Sequence, residues 1–249
     1  VIMLLIIIGG IGFVVWTDVI KYKFRFSKYR LHSKIAIMMT LILIISGALL
    51  FLITERDTVF KGMSLNTKVL AAAFSSVTPR TAGFNSVDTA SLSNSGKLIT
   101  MMLMFIGGWP GSTAGGIKTT TLFVLWAYVC AHIQQKRGVD VFNRRLAEDA
   151  VKTAATILSI NLSLVLIAAV IISTVESLDM TDIMFEICSA MGTSGMSTGI
   201  TRQLGNISKM VLIALMYLGR VGSLSFALSF TQNKKMPNIM QPAEEINIG

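Results

Sequence analysis

Charge is what this chain has least of. Only 14% of its 249 residues are Asp, Glu, Lys or Arg, against about 25% in an ordinary soluble domain. Acid is scarcer than base, and 13 Asp and Glu against 22 Lys and Arg leave a formal charge of +9. Cysteine and histidine are rarer still: Cys130, Cys188, His32 and His132 are too few and too far apart for a disulfide framework or a zinc ligand set. With no His/Cys/Asp cluster in its apolar runs, the chain offers no candidate enzyme active site. Val1 opens directly into an apolar run, with no Met, no basic n-region and no small-residue cleavage site. The start therefore reads as a truncated chain and not as a signal peptide.

What is plentiful is apolar: 53% of the residues are hydrophobic. Apolar stretches fall at about 1–19, 35–54, 97–107 resuming at 117–133, 152–175 and 207–231, and several approach the roughly 20 residues that cross a bilayer. Five crossings are expected. The basic excess then belongs in short loops at a membrane surface, not on a nucleic-acid-binding face. Lys21, Lys23, Arg25, Lys28, Arg30 and Lys34 flank one connection, and Lys136, Arg137, Arg144, Arg145 and Lys152 another. By the positive-inside rule both are cytoplasmic, as is the tail with Lys234 and Lys235. The connections bearing Glu55 and Asp57, and Glu176, Asp179 and Asp182, face outside. The first helix thus runs from outside to inside, and the C-terminus is cytoplasmic.

Two shorter apolar segments, 65–77 and 181–191, each precede a Gly-bearing polar stretch. Segments of this length are re-entrant, interfacial or buried core helices. An internal repeat favours the re-entrant reading. Leu103-Met104-Phe105-Ile106-Gly107 matches Leu215-Met216-Tyr217-Leu218-Gly219 at an offset of 112 residues. The same offset lays Thr81-Ala82-Gly83-Phe84-Asn85-Ser86 on Thr193-Ser194-Gly195-Met196-Ser197-Thr198. Two copies of a helix, short helix, polar loop, helix unit follow, related by an axis along the membrane normal. The first apolar run, with Gly9-Gly10-Ile11-Gly12, looks like the last helix of a further unit.

In the first loop, Pro79 disfavours α geometry at Thr78, so the short helix is expected to stop there. Gly83 permits positive φ and lets successive carbonyls turn toward one side. Irregular backbone at membrane depth is tolerated where it is buried in protein or lines water. A ring of such carbonyls replaces the hydration shell of a monovalent ion, and the negative end of the preceding short helix favours a cation there. The opposing expectation, ordinary Gly/Ser/Thr turns between helices, is weakened by the duplication.

Five Gly and one Pro in the ten residues 107–116 break a crossing in its middle. This flexible stretch, with Gly107, Gly108, Gly111, Ser112, Thr113, Gly115, Gly116 and Lys118, reads as a gate beneath the loops. Lys118 either repels a permeating cation or anchors the next helix at the interface. The run ending in Lys-Thr is not a nucleotide-binding P-loop, because Ile117 separates Gly116 from Lys118 and the flanks are membrane helices. Arg220 lies inside an apolar run between Gly219 and Gly222. A buried cation at that depth costs about 2.5 to 3.5 kcal/mol, so it is expected to face a pore or an interior partner, either loop carbonyls or Glu186. A purely structural ion pair stays open. Arg202 and Lys209 are expected to snorkel at the outer interface, and Arg80 has the same option.

These residues together resemble the Trk/Ktr/HKT superfamily of potassium transporters, most closely the Ktr-type membrane subunit. Val77-Thr78-Pro79-Arg80-Thr81-Ala82-Gly83-Phe84-Asn85 is similar to the family's third pore loop, and residues 192–199 to its fourth. Residues 107–121 are similar to its intramembrane gating loop, and Gly219-Arg220-Val221-Gly222 to the Arg-bearing motif of its last helix. Ala114 stands where the family commonly has Gly.

The resemblance implies an all-α integral membrane protein of helix, re-entrant pore loop, helix units around a central pore, as in potassium channels. It divides the chain into the last helix of a preceding repeat (1–20), a cytoplasmic loop (21–34), a third repeat with a broken second helix (35–133), a second cytoplasmic loop (134–151), a fourth repeat (152–231) and a cytoplasmic tail (232–249). It implies K⁺ uptake at a plasma membrane, with the filter formed by Thr81, Ala82, Gly83, Phe84 and Asn85 and by Thr193, Ser194, Gly195, Met196 and Ser197. It implies no organic cofactor, and as partners a second copy, a cytosolic ring of nucleotide-binding regulatory subunits and the lipid bilayer. The first filter loop, which in this family often decides K⁺ against Na⁺, lies outside the sequence. Transport of Na⁺ or of a small solute is the alternative.

Overall fold

The computed structural model describes residues 1–222 and 225, apart from 24, 113, 137 and 143. Thr113 and the tail at 232–249 therefore lie outside the described residues. Nine α-helices lie among those described: α1 (Ile2–Gly10), α2 (Phe13–Tyr22), α3 (Leu31–Thr54), α4 (Leu65–Val77), α5 (Asn94–Phe105), α6 (Thr119–Ile133), α7 (Glu148–Val175), α8 (Met180–Gly192) and α9 (Asn206–Val221). The expected all-α membrane class holds. α3 and α7, at 24 and 28 residues, are each long and apolar enough to cross a bilayer. Only 28% of the most apolar window of each is buried within the chain, and Leu41, Ile45, Leu166, Ile167 and Val170 point outward. An apolar face of that extent suits lipid and not water.

One local expectation is corrected. The first apolar run is not one helix: α1 and α2 meet at 97°. Gly12, at φ +87°, makes the corner, and Phe13 N–H bonds the carbonyl of Gly111 at 3.2 Å, so the bend is tied to the middle of the chain. The helix of the last run is described over Asn206–Val221, and residues 226–231 of that run lie outside the described residues. The second basic loop also carries a small hairpin that periodicity did not reveal, β1 (Asp140–Val141) antiparallel to β2 (Arg144–Arg145).

The duplication is visible in shape. α4 and α8 are each thirteen residues, and each begins at a side-chain cap: Ser64 accepts from Thr67 N–H, and Asp179 from Thr181 N–H. Each unit has its own core. Leu43, Phe51, Phe60, Ala72 and Leu103 fill the first, whereas Ala168, Ile172, Ile187, Met191, Leu212 and Leu215 lie in the second. A third cluster, Met101, Met104, Phe185, Cys188 and Met196, joins them across α5 and α8.

A carboxylate just past the end of each long helix pins the start of that unit's last helix. The Glu55 carboxylate accepts from Ser93 N–H at 3.2 Å and from Ser93 Oγ at 2.5 Å, where α5 begins. Glu176 accepts from Gly205 N–H at 2.7 Å and Ser208 Oγ at 2.6 Å, where α9 begins. The donors Ser93 and Gly205 are 112 residues apart and so follow the repeat, whereas the carboxylates Glu55 and Glu176 are 121 apart and reach equivalent helix starts from different offsets.

Candidate functional site

The two polar loops after α4 and α8 are built alike. α4 ends at Val77, yet Thr78 keeps α geometry (φ −63°, ψ −35°) despite the proline that follows. Its N–H bonds Phe74 O at 2.9 Å and its Oγ1 donates to Phe84 O at 2.5 Å, and these two bonds outweigh the pre-proline preference. The chain then turns through Thr81 (φ +67°) and Gly83 (φ +74°); in the second loop the turn passes through Thr193 (φ +52°) and Gly195 (φ +79°). Both pairs stand 112 residues apart. The glycine conformation was legible from residue type, while the left-handed threonines were not.

The loops meet. A Cβ on Gly83 would lie 2.3 Å from the carbonyl oxygen of Ser194. The chemistry on offer at the junction is mostly backbone. Met196, for example, is buried in the core shared by α5 and α8, and Phe84 is 57% exposed. The second loop is further held by Glu186, whose carboxylate accepts from Ser197 Oγ and, at 3.0 Å, from Thr201 Oγ1. Those hydroxyls, not the Arg220 proposed from the sequence, are what engage Glu186. Arg80 does not snorkel: it is 8% exposed, and its Nε has no hydrogen-bond partner among the described residues. Arg202 is exposed and Lys209 half-buried.

Residues 106–118 separate α5 from α6, so the expected break is present, but the segment is not a loose tether. Gly107 N–H bonds Ile117 O at 2.8 Å and Thr119 N–H bonds Gly108 O at 3.2 Å, which draws the two ends of the loop together. Trp109 N–H reaches Gly10 O at 3.2 Å, and the buried Trp109 indole donates to Thr40 Oγ1 at 3.2 Å. Lys118 Nζ turns back and donates to Ala114 O, closing its own loop, an arrangement neither reading of that lysine anticipated.

This loop touches the second polar loop. A Cβ on Gly115 would lie 2.2 Å from Thr193 Oγ1, and Gly116 N–H bonds Gly219 O at 3.3 Å. Gly219 in turn lies against the carbonyl of Met191, where an added Cβ would come within 2.1 Å. Arg220, next to Gly219, is exposed in the last turn of α9 and near enough for its charge to act on Lys118. Six of the residues singled out from the sequence thus form one contiguous path: Gly83, Ser194, Thr193, Gly115, Gly116 and Gly219. Among the described residues no cluster of His, Cys, Asp and Glu is arranged to hold a metal ion.

The sequence matches the TrkH family, described as a cation transport protein, over residues 1–241. It is 43% identical to the potassium/sodium uptake protein NtpJ of Enterococcus hirae, over 98% of this chain and 56% of that protein. It is 36% identical to the Ktr system potassium uptake protein B of Bacillus subtilis, over 100% of this chain and 56% of that protein. Its fold is similar to the potassium transporter TrkH from Vibrio parahaemolyticus, with a TM-score of 0.75 at 17% identity, over 93% of this chain and 52% of that one. The chain spans about half the length of the curated relatives it matches.

Proposed function

The chain belongs to the TrkH family of cation transport proteins, and from that premise we propose that it carries two sides of a K⁺ uptake pathway. In this reading backbone carbonyls at Thr81–Gly83 and Thr193–Gly195 contribute to a selectivity filter. The observation that carries it is the contact of Gly83 with the Ser194 carbonyl, in two loops of matching left-handed backbone at one repeat offset. Carbonyls held at membrane depth in this way suit a dehydrated monovalent cation better than an organic solute.

Residues 107–118 act as the gate under the filter, with Lys118 holding the loop closed and Arg220 facing the pathway beside it. Support comes from Gly115 lying against Thr193, which couples the loop to the second filter segment. The chain operates at a plasma membrane with both basic loops in the cytoplasm, as the charge distribution favours. Its assembly partners are a second copy and a cytosolic nucleotide-binding ring, a reading that rests on the family resemblance.

Because the name of the Enterococcus hirae relative includes sodium, the cation is the first thing to test. Uptake of Rb⁺ is measured in cells deficient in K⁺ uptake, with excess Na⁺ or K⁺ as competitor. K⁺ is expected to compete at least tenfold better than Na⁺. Equal competition makes the site a general monovalent-cation path, and indifference to both ions removes the filter reading.

A further inference from the structure

Away from the loop junction, a cavity of about 350 Å³ opens where α6 ends and α7 begins. Its walls converge from three elements. Gln135, at φ +52°, ends α6 in the left-handed conformation; its N–H bonds His132 O at 2.9 Å, and Lys136 N–H returns to Ala131 O at 3.0 Å. This paired closure swings Lys136 back beside the helix it leaves. The hairpin brings Arg145 to the opposite wall: Leu146 N–H bonds Val139 O at 2.9 Å, and the Arg145 guanidinium lies over Gly138, within 2.5 Å of where a Cβ would stand. Lys152 enters from the second turn of α7. Tyr128 and His132, one helical turn apart on α6, stack with ring centroids 6.0 Å apart.

Three permanent cations, Lys136, Arg145 and Lys152, therefore line one cavity whose single carboxylate is Glu148. Its floor is apolar, with Val139 and Leu146, and its rim runs onto the outward face of α6, where Tyr128, Val129 and Ile133 are 44%, 52% and 76% exposed. All three are exposed, and they open onto one shared hollow where an apolar helix gives way to a basic loop. A phosphodiester matches the charge, and an acyl chain matches the rim.

We propose that this cavity binds the phosphodiester headgroup of an anionic phospholipid, with its acyl chain along Tyr128, Val129 and Ile133. A free phosphate shares the headgroup chemistry but gains nothing from the apolar rim, so the lipid is the better occupant.

The test uses the intact purified protein in detergent, titrated with dioctanoyl phosphatidylglycerol, dioctanoyl phosphatidylcholine or inorganic phosphate, with retained ligand counted by native mass spectrometry. Phosphatidylglycerol is expected to be retained about tenfold better than phosphatidylcholine, and phosphate weakly. A Lys136→Gln/Arg145→Gln variant is expected to lose phosphatidylglycerol by about fivefold for each cation removed. Lys23→Gln/Lys28→Gln removes equal charge from the other basic loop and is expected to leave retention unchanged. Equal retention of the two lipids, or phosphate retained as well as phosphatidylglycerol, overturns the proposal without need of any variant. An equal loss in the Lys23/Lys28 variant also overturns it, by reducing the effect to general surface charge.

Discussion

The α-carbon of Gly83 lies against the carbonyl oxygen of Ser194, so close that a β-carbon would sit 2.3 Å away. The two duplicated loops meet backbone to backbone, and substitutions at their equivalent glycines are therefore not equivalent. Both adopt left-handed φ, which costs a non-glycine residue roughly 1 to 2 kcal/mol. Only Gly83 adds a clash, since a Cβ on Gly195 meets nothing within 4 Å. Gly83→Ala is expected to weaken Rb⁺ uptake affinity at least tenfold, and Gly195→Ala several-fold less. Equal losses in an uptake assay would count against the loop contact.

The gating segment and the second loop are predicted to be coupled through Gly115 and Thr193. Gly115→Ala drives a methyl to 2.2 Å from Thr193 Oγ1 and 2.6 Å from Cγ2, and truncating Thr193 to Ala removes both atoms and leaves only its Cβ, at 2.9 Å, so most of the clash is relieved. A double-mutant cycle of Gly115→Ala with Thr193→Ala, read as transport rate, is expected to show a coupling of about 1 kcal/mol or more in the sense of rescue. Additive effects would mean the two segments act independently. Deleting residues within 111–116 is expected to raise flux in protein that still inserts.

Trp109 anchors that segment to α3. Trp109→Phe keeps most of the buried ring but loses the bond to Thr40 Oγ1, which costs about 1 kcal/mol. Thr40→Val is expected to cost a similar amount, and the pair together less than the sum, by thermal melting in detergent. Full additivity would show that the bond contributes little.

Glu176, in the connection after α7, has its pKa held below the ordinary 4.5 by the hydrogen bond from Ser208 and then by the Gly205 N–H. A carboxylate depressed in the folded state stabilises the fold fully above its unfolded pKa. That contribution fades as pH falls through the lower folded value. Glu176→Gln is expected to be less stable than the parent at pH 7 and to lose less stability on acidification below about pH 4.5. Parallel stability profiles of the two proteins in that range would remove the clamp from the account.

Much of this architecture was legible from one dimension. Apolar runs, basic loops and the 112-residue offset placed α3, α7 and both short helices to within a few residues, because hydrophobic length and repeat spacing are local properties of a sequence. The clustered glycines at 107–116 announced a break for the same reason. Their conformation was another matter. A flexible gate was the natural expectation, yet Gly10, Thr40 and Gly219 supply partners from distant parts of the chain, and with Ile117 at the loop's own far end they give it a defined shape. Thr81 and Thr193 likewise take a left-handed backbone that their residue type disfavours.

By itself, then, the sequence determined that this is a helical membrane chain, duplicated, with two polar loops and one interrupted helix. Hydrophobic run length, charge asymmetry and self-similarity need no folded structure to be read. Tertiary structure alone decided which groups touch: Gly83 with Ser194, Thr193 with Gly115, Glu186 with Ser197 and Thr201, and Glu55 and Glu176 with the helix starts they cap. Each pairing depends on how helices cross and how closely two backbones approach, and many spacings along the chain are compatible with the same crossing.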